Sequence, residues 1–438
     1  MTAAVPALTE PRTARKLRSA EAVLDSGLTV IAARKPGVPL VEVRLRVPFL
    51  SAKPAHPGQA GLLAETILTG ADGLDRAALA GRIQALGGDL SASVDADRLV
   101  ISGNVLATNL RRLLDVVASV LVEPAYNKAD VLTERNRLVE KLTMARARPG
   151  VVANEALAVR MFGDHPYARD LAQPEAVAAV KPAHLRALHA AQVRPQGAVL
   201  VLVGDLTPAR MVEQATAALA GWDGASPNSK VPALPAPPGG AVQVVDRPGS
   251  VQSTLRMGRL ALARTDPDYA ALHLANLIFG GYFTSRWTEN LREDKGYTYG
   301  PHSRIEHHVL GSTLSLSMEV QSEVTAPALL ETLYELGRIA ALSVTEAEVV
   351  AVQQYAIGTL ALSTATQAGL ASTLSGLFPF GLGLDWITAF PTLLRKATVE
   401  DVSASAARFF GPSGFTSVVV GDAASITGPL AALVPVES

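Results

Sequence analysis

Histidine is the residue type in this sequence best suited to metal binding or general-base chemistry, because the 438 residues include eight histidines and no cysteine. No histidine pair has the spacing of a His-Glu-x-x-His zinc helix or of its inverse. His184 and His189 are five residues apart in a helical pattern, so they do not share a helix face. His302, His307 and His308 form one cluster with metal-binding residue types, although a solvated strand end is the more common structure for such a segment.

A second group of reactive side chains lies in residues 279–299, which contain Arg292 and Tyr299. The pattern predicts a helix that ends in the charged turn 293–296 and is followed by an aromatic strand. By position alone, Arg292 is typical of a helix-end cation and Tyr299 of a half-buried strand residue. Serine-hydrolase, P-loop and dinucleotide-binding motifs are absent from the sequence.

The charge balance excludes two broad classes of function. The chain has 39 Lys+Arg and 40 Asp+Glu, a formal net charge of −1, whereas nucleic-acid and membrane-surface proteins that act through bulk charge need a basic excess.

No apolar run approaches the ~18–20 residues that cross a bilayer. Pro6, Glu10 and Pro11 interrupt the region where a secretion signal would be apolar. We therefore expect a soluble cytoplasmic protein with neither nucleic acid nor membrane as partner.

The candidate residues need a scaffold, and a proline-rich linker near the middle of the chain divides that scaffold in two. Five prolines lie within residues 223–240, among glycine, serine and asparagine, and such a composition cannot form helix or central strand. The predicted domains are an N-terminal α+β half at 15–222, the linker at 223–240 and a C-terminal α+β half at 241–438.

Two sequence echoes indicate that the halves are copies of one unit. An apolar strand ending at Gly204 follows Pro195-x-Gly, and another ending at Gly421 follows Pro412-x-Gly, an offset of 217 residues. A Pro-Gly pair at 36–37 and another at 248–249 each precede an alternating strand, with an offset of 212. Chance produces one such echo more easily than two in the same order, so we predict a duplication.

Within the first half, hydrophobic patterning predicts strands before helices. The predicted elements are a strand pair 27–33 and 40–47 joined at Pro36-Gly37, helices at 61–68 and 74–86, a hairpin of 90–94 with 99–105, and helices at 110–121 and 129–145. Hairpins followed by helices are typical of an antiparallel-rich mixed sheet covered by helices. The predicted fold class is therefore α+β, in two homologous halves.

Several segments together resemble the pitrilysin/insulinase family of inverted-motif zinc peptidases, in its branch of short subunits similar to the mitochondrial processing peptidase. The resemblance spans nearly the whole chain. It is carried by the start of each half and by residues 163–167, 203–205, 246–249 and 280–299. The last segment is the most specific, because the family's Arg/Tyr pair is seven residues apart, as Arg292 and Tyr299 are. The resemblance implies half of a clam-like chamber that pairs with a second such chain.

The sequence departs from the family at the metal site. Catalytic members carry His-x-x-Glu-His on the first long helix and a zinc-binding glutamate downstream. These motif positions fall on Gly61, Ala64 and Glu65, so both histidines and the general base are missing, and a shift by one residue recovers no histidine. Glu140 lies near the third-ligand position, but catalytic zinc needs three protein ligands. The resemblance implies no cofactor bound by this chain and zinc in the partner subunit.

The resemblance assigns this chain the donor side of a shared active site. Arg292 and Tyr299 would contact the substrate carbonyl and the transition state in trans, and Gly280 and Gly281 would let the substrate backbone approach closely. The expected function is the non-zinc-binding subunit of a heteromeric zinc endopeptidase that cleaves peptides or small unfolded proteins and is inactive alone.

Two other functions stay open from the sequence. The first is a catalytically silent scaffold or peptide-binding subunit of the same fold. The second is a self-sufficient hydrolase that uses the histidines within residues 302–308.

Overall fold

Two six-stranded sheets form the framework of the protein. The computed structural model describes residues 17–225 and 230–437, so the predictions made for the first sixteen residues and for residues 226–229 lie outside the described residues. The strand order is β1-β2-β6-β3-β5-β4 in the first sheet and β12-β7-β11-β8-β10-β9 in the second. The strands are β1 Ser19–Val23, β2 Thr29–Arg34, β3 Leu40–Pro48, β4 Asp89–Val94, β5 Arg98–Leu106, β6 Val199–Gly204, β7 Val242–Asp246, β8 Gln252–Ala261, β9 His302–His308, β10 Gly311–Gln321, β11 Thr416–Gly421 and β12 Val436–Glu437.

Helices connect and cover these strands. They are α1 His56–Thr66, α2 Arg76–Ala85, α3 Leu110–Val122, α4 Lys128–Arg146, α5 Pro149–Phe162, α6 Pro174–Ala178, α7 Pro182–Gln192, α8 Pro208–Leu219, α9 Tyr269–Asn276, α10 Arg286–Thr288, α11 Thr325–Ala341, α12 Glu346–Ser363, α13 Gln367–Leu377, α14 Leu384–Lys396, α15 Val399–Phe409 and α16 Ala423–Ala431. In the described residues, no single helix is long and apolar enough to cross a membrane, and one pair bent by 87° passes that test jointly.

The two sheets confirm the predicted fold class of two homologous α+β halves. β3 and β8 begin 212 residues apart, and β6 and β11 begin 217 residues apart, as the two echoes required. The central strands also have equivalent neighbours: β6 is parallel to β2 and antiparallel to β3, and β11 is parallel to β7 and antiparallel to β8. The predicted hairpin of β4 with β5 is confirmed.

One strand pairing predicted from the sequence is wrong. β2 and β3, expected to pair across Pro36-Gly37, are separated by β6, which hydrogen-bonds to both. All six residues of β6 are buried. A strand that is apolar on both faces is most stable in the centre of a sheet, with a neighbour on each edge. The long-range pairing therefore replaces the local one.

An exchange of helices joins the halves. The two faces of β6 pack differently: Leu200 and Leu202 belong to the core of the first half, whereas Val199, Val201 and Val203 pack against α13 from the second half. In the second half, Val419 faces its own core, while Val418 and Val420 pack against α5 from the first half. Each sheet is thus covered on one face by a helix of the other half.

Each exchanged helix is contacted by one of two equivalent arginines. Arg44 on β3 contacts Ser372 Oγ of α13 at 3.3 Å, and Arg256 on β8 donates to Asn154 Oδ1 of α5 at 2.9 Å. Both arginines also donate to two main-chain carbonyls and pair with a nearby glutamate. The duplication therefore extends to individual hydrogen bonds, which supports a common origin for the two cross-half contacts.

Truncating one large side chain at the contact between β6 and α13 tests how much the exchanged packing contributes to stability. Leu374 on α13 has no exposed surface, so Leu374→Ala should lower the free energy of unfolding by about 2–5 kcal/mol, the usual cost of a buried leucine truncation. Urea unfolding gives the value. Leu362→Ala on α12, where the side chain is 75% exposed, is the matched control and should change it by less than ~0.5 kcal/mol. Equal small effects would contradict the importance of the exchange.

A polar contact also holds the halves together. Asp97, in the turn between β4 and β5, accepts hydrogen bonds from the Tyr167 hydroxyl at 2.6 Å and the Val309 amide at 3.1 Å, and His308 lies 3.6 Å away. Burial alone would raise the pKa of Asp97, but the hydrogen bonds from His308, Tyr167 and Val309 lower it. Burial would likewise lower the pKa of His308, yet Asp97 raises it. Each group therefore favours the charged form of the other.

This contact should make stability depend on pH. Because the folded state raises the pKa of His308 above its unfolded value of 6.5, its contribution is complete below pH 6.5 and is lost as the pH rises through the folded pKa. His308→Gln should therefore destabilise the protein more at pH 5.5 than at pH 9, as measured by urea unfolding. His302→Gln is the control. Because burial lowers the pKa of His302, the effect of this substitution on stability should change with pH in the opposite direction. An equal loss for His308→Gln at both pH values would contradict the charged pair.

Candidate functional site

The segment that carries the predicted Arg/Tyr pair is built from two π-helical turns. Leu277–Gly281 and Glu289–Asp294 have π geometry and flank the short helix α10. Trp287 of α10 is 1% exposed and donates its indole N–H to Thr332 Oγ1 at 3.0 Å. π turns often occur at functional sites, because the extra residue displaces side chains from regular helical positions.

Asn290 fastens the second π turn to helix α11. Its amide nitrogen donates to Glu331 Oε2 at 3.0 Å and to Glu335 Oε1 at 2.9 Å. Lys295 and Arg338 pair with the same two carboxylates at 3.5 and 3.1 Å. An amide group has two N–H donors, so one asparagine can serve both acceptors. These contacts therefore hold the backbone in place close to Arg292, which is two residues further along the chain.

The structure brings Arg292 and Tyr299 together at the surface of the second half. The Arg292 Cζ atom lies 4.9 Å from the centroid of the Tyr299 ring, and Tyr299 is 85% exposed. Arg292 Nε pairs with Glu293 Oε1 at 3.3 Å. The pair thus presents a guanidinium and a phenol side by side, the two hydrogen-bond donors that a developing oxyanion requires.

A third residue belongs to this group and was missed from the sequence. The Phe283 ring centroid lies 4.1 Å from Arg292 Cζ, closer than that of Tyr299, although Phe283 is 64% exposed. Its position within residues 279–299 was the only available signal, since no spacing rule links residues 283 and 292 across an irregular turn.

Gly280 and Gly281 have a packing reason to be glycine. A Cβ atom on Gly280 would lie 2.8 Å from Trp287 Cε3, and one on Gly281 would lie 2.8 Å from Asn276 Nδ2. Real Cβ atoms do not come so close to neighbours in a packed interior. These glycines therefore let the first π turn pack on its surroundings, and their contact with a substrate backbone stays a prediction.

The residues at the degenerate motif do not fit a zinc ion. Gly61 and Ala64 offer no ligand atom, and a Cβ on Gly61 would contact Leu138 Cδ2 of α4 at 3.6 Å. Glu65 instead pairs with Lys141 through a 3.2 Å contact between Oε1 and Nζ. Across residues 17–225 and 230–437, no group of three His, Asp or Glu side chains is arranged to hold a metal. An ion pair joins α1 to α4 at the motif position.

Lys141, rather than Glu140, lies opposite the motif. Gly61 and Glu65 are four residues apart on α1, and Leu138 and Lys141 are three apart on α4, so each pair shares a helix face. The Gly61–Leu138 and Glu65–Lys141 contacts bring these faces together. Glu140 is exposed. The position of Glu140 near a third ligand stays a prediction, and the residue that contacts Glu65 is its neighbour Lys141.

The histidine cluster is not arranged as a hydrolase site. His307 Nδ1 lies 2.8 Å from Ser312 Oγ and its Nε2 lies 3.1 Å from the Tyr269 hydroxyl, so both ring nitrogens have partners. Burial lowers the pKa of His307 to about 3. His308 points to the opposite face of β9, as neighbouring strand residues do. These contacts give the cluster a structural role.

His184 and His189 lie on different faces of α7. His184 is exposed at the start of α7, where its Nδ1 accepts a hydrogen bond from the Lys181 amide at 3.3 Å. His189 is buried, with its ring nitrogens 2.8 Å from the Tyr126 hydroxyl and 2.8 Å from the Leu121 carbonyl. The prediction that the two do not share a face is confirmed.

The fold and the site define a metallopeptidase-type chain whose metal-ligand positions carry no ligand set. The family model described as Insulinase (Peptidase family M16) matches residues 29–175, and the model described as Peptidase M16 inactive domain matches residues 179–355. Together these models cover most of the chain. The protein belongs to the insulinase/pitrilysin peptidase family, as the resemblance of its segments indicated.

Relatives and solved structures agree with this family. An uncharacterized zinc protease of Streptomyces coelicolor is 25% identical over 64% of this chain and 63% of its own length, so the match spans less than two thirds of that protein. An uncharacterized zinc protease of Mycobacterium leprae is 23% identical over 70% of each chain.

Among solved structures, a peptidase M16 inactive domain from Pseudomonas fluorescens is 25% identical and superposes with a TM-score of 0.84 over 92% of this chain and 98% of its own. A protease from Helicobacter pylori has a TM-score of 0.82 at 16% identity, covering 92% and 100%. The second likeness shows the fold.

Rebuilding the motif tests which residue of α4 faces it. The triple variant Gly61→His/Ala64→Glu/Glu65→His keeps Lys141 opposite the new side chains and should not bind zinc stoichiometrically. Adding Lys141→Glu removes that cation and supplies the third ligand, so the quadruple variant should bind one zinc per chain. Metal analysis after dialysis and a zinc titration measure this.

Two controls separate the effect of removing the Lys141 charge from the effect of adding a metal ligand. Lys141→Met in the triple variant removes the cation without adding a ligand, and should not produce tight binding. Glu140→Gln in the quadruple variant should leave zinc affinity unchanged. Tight binding by the triple variant alone, or its loss with Glu140→Gln, would show that Glu140 faces the site.

Proposed function

We propose that this chain is the non-zinc-binding subunit of a two-chain zinc endopeptidase. It supplies Arg292 and Tyr299 to an active site whose metal and general base come from a homologous partner that carries His-x-x-Glu-His. Membership in a peptidase family supports the reaction class. The observation that carries the proposal is the contact of Arg292 with Tyr299 at an exposed surface, in a chain whose own motif positions hold a Glu65–Lys141 ion pair.

The chemistry assigned to each residue follows from its donors. Hydrolysis of a peptide bond places negative charge on the carbonyl oxygen, and preorganised donors aimed at that oxygen lower the barrier. Arg292 has a permanent charge and a planar set of N–H groups, which suits a planar acceptor. Tyr299 adds one O–H donor. Bound peptide would therefore be held and polarised by this chain while the partner supplies the attacking water.

The substrate class proposed is peptides or small unfolded proteins. The two rings next to the guanidinium are exposed, so an extended backbone can approach the Arg292 N–H groups from the surface. A catalytically silent scaffold of the same fold would have no need for this exposed donor pair.

Reconstitution with a zinc-binding homologue tests the proposal. Cleavage of internally quenched peptides should require both chains, with each chain alone inactive. Arg292→Ala should lower kcat of the pair about 10²-fold or more, because one oxyanion donor commonly contributes that much. Tyr299→Phe should reduce kcat as well, since it deletes only the O–H group.

Matched variants control for general effects of the substitutions. Arg408→Ala on α15 removes an exposed arginine that also stacks on an aromatic ring, Phe409, at 4.9 Å. Tyr334→Phe on α11 removes the hydroxyl of another exposed tyrosine. Both should retain full activity in the pair. Unchanged cleavage with Arg292→Ala plus Tyr299→Phe would refute the donor role and favour the silent scaffold.

A further inference from the structure

Phe283 contacts the guanidinium of Arg292 more closely than any other aromatic ring in the described residues. Its ring centroid is 4.1 Å from Arg292 Cζ, against 4.9 Å for Tyr299. The Phe283 side chain takes little part in the core, because the residue is 64% exposed. The contact with Arg292 is therefore the principal interaction of this ring.

The loop that carries Phe283 is pinned on both sides. Tyr282 packs against Tyr355 of α12, with ring centroids 5.1 Å apart. Ser285 is 1% exposed, and its hydroxyl lies 2.9 Å from that of Thr288. Residues fixed one position before and two positions after Phe283 restrict its backbone, so the ring occupies a defined place beside Arg292.

Only some of the N–H groups of Arg292 are available to donate a hydrogen bond to a substrate. Arg292 Nε is directed to Glu293, and the arginine side chain is only 23% exposed. A guanidinium that stacks on aromatic rings keeps its N–H bonds in its own plane, pointing past the ring edges. In residues 17–225 and 230–437, no further hydrogen bond or ion pair of Arg292 occupies the terminal Nη groups. These groups are the ones available to a peptide carbonyl.

We propose that Phe283 is a positioning residue, which with Tyr299 forms an aromatic slot that holds the Arg292 guanidinium in the plane required to donate to the substrate carbonyl. This inference rests on the proposed function of Arg292. Without Phe283 the guanidinium rotates about its side-chain torsions, and the donors no longer point at one position. Tyr299 alone cannot hold it, because a single ring leaves one face of the guanidinium open.

Kinetics of the reconstituted pair measure the positioning effect. Phe283→Leu should lower kcat about 10-fold, the size of effect expected for one cation–π contact, while KM changes less than twofold. Phe283→Tyr and Phe283→Trp preserve a ring and should restore kcat to near the wild-type value. An equal loss of activity for leucine, tyrosine and tryptophan would contradict the slot, because the loss would then not depend on whether the side chain keeps an aromatic ring.

Chemical rescue tests the slot without the arginine side chain. In the Arg292→Ala pair, added methylguanidinium should bind between the two rings and recover part of the lost activity. In Arg292→Ala/Phe283→Leu the same concentration should recover much less. Methylammonium, a cation of equal charge that lacks the planar fork, is the control for ionic strength and should recover little in either variant.

The nuclear magnetic resonance signal of the Arg292 Nε–H group gives a readout that is independent of activity. Stacked rings shift this signal through their ring currents, so Phe283→Leu should displace it in the isolated chain, and Phe283→Tyr should not. An unmoved signal, or equal rescue in both alanine backgrounds while Arg292→Ala remains inactive, refutes the slot and leaves the donor role intact. Full activity of the Arg292→Ala pair refutes both.

Discussion

The packing of apolar strands that are buried on both faces is the constraint on which this structure depends. Every residue of β6 and of β11 is buried, so each of these central strands must be covered from two directions. Helices of the same half cover one face. The other face is covered by α13 on the first sheet and by α5 on the second. Each half therefore completes the hydrophobic core of the other.

This reciprocal packing constrains the two halves in the same way. Arg44 and Arg256 make equivalent hydrogen bonds to the exchanged helices in both halves. Gly61 on α1 is less constrained by the core than Ala64, because a Cβ atom at Gly61 would meet only an ordinary van der Waals contact, whereas Ala64 is buried. The Glu65–Lys141 ion pair joins α1 to α4 at an exposed position, where such pairs contribute about 0–1 kcal/mol to stability.

The Arg/Tyr segment shows a second way in which packing determines chemistry. The buried indole of Trp287 and the double amide contact of Asn290 fasten the chain below the surface. Above them, Arg292 and Tyr299 are held close together although they are seven residues apart on an irregular path. Local helix propensity does not produce this arrangement. It depends on α11 and on the narrow space that Gly280 fills beside Trp287.

The sequence alone determined the α+β class, the duplication and the absence of a ligand set on α1, because these depend on residue type, periodicity and repeat offset, all of which are local or countable. Its resemblance to a known family also singled out Arg292 and Tyr299 as candidate site residues. The tertiary structure decided what depends on distance through space: the insertion of β6 between β2 and β3, the placement of Lys141 instead of Glu140 opposite Glu65, and the contact of Phe283 with Arg292. The physical reason is the same in each case. Burial of strands and helix faces selects neighbours that are far apart in the chain, and no spacing rule along the sequence contains that choice.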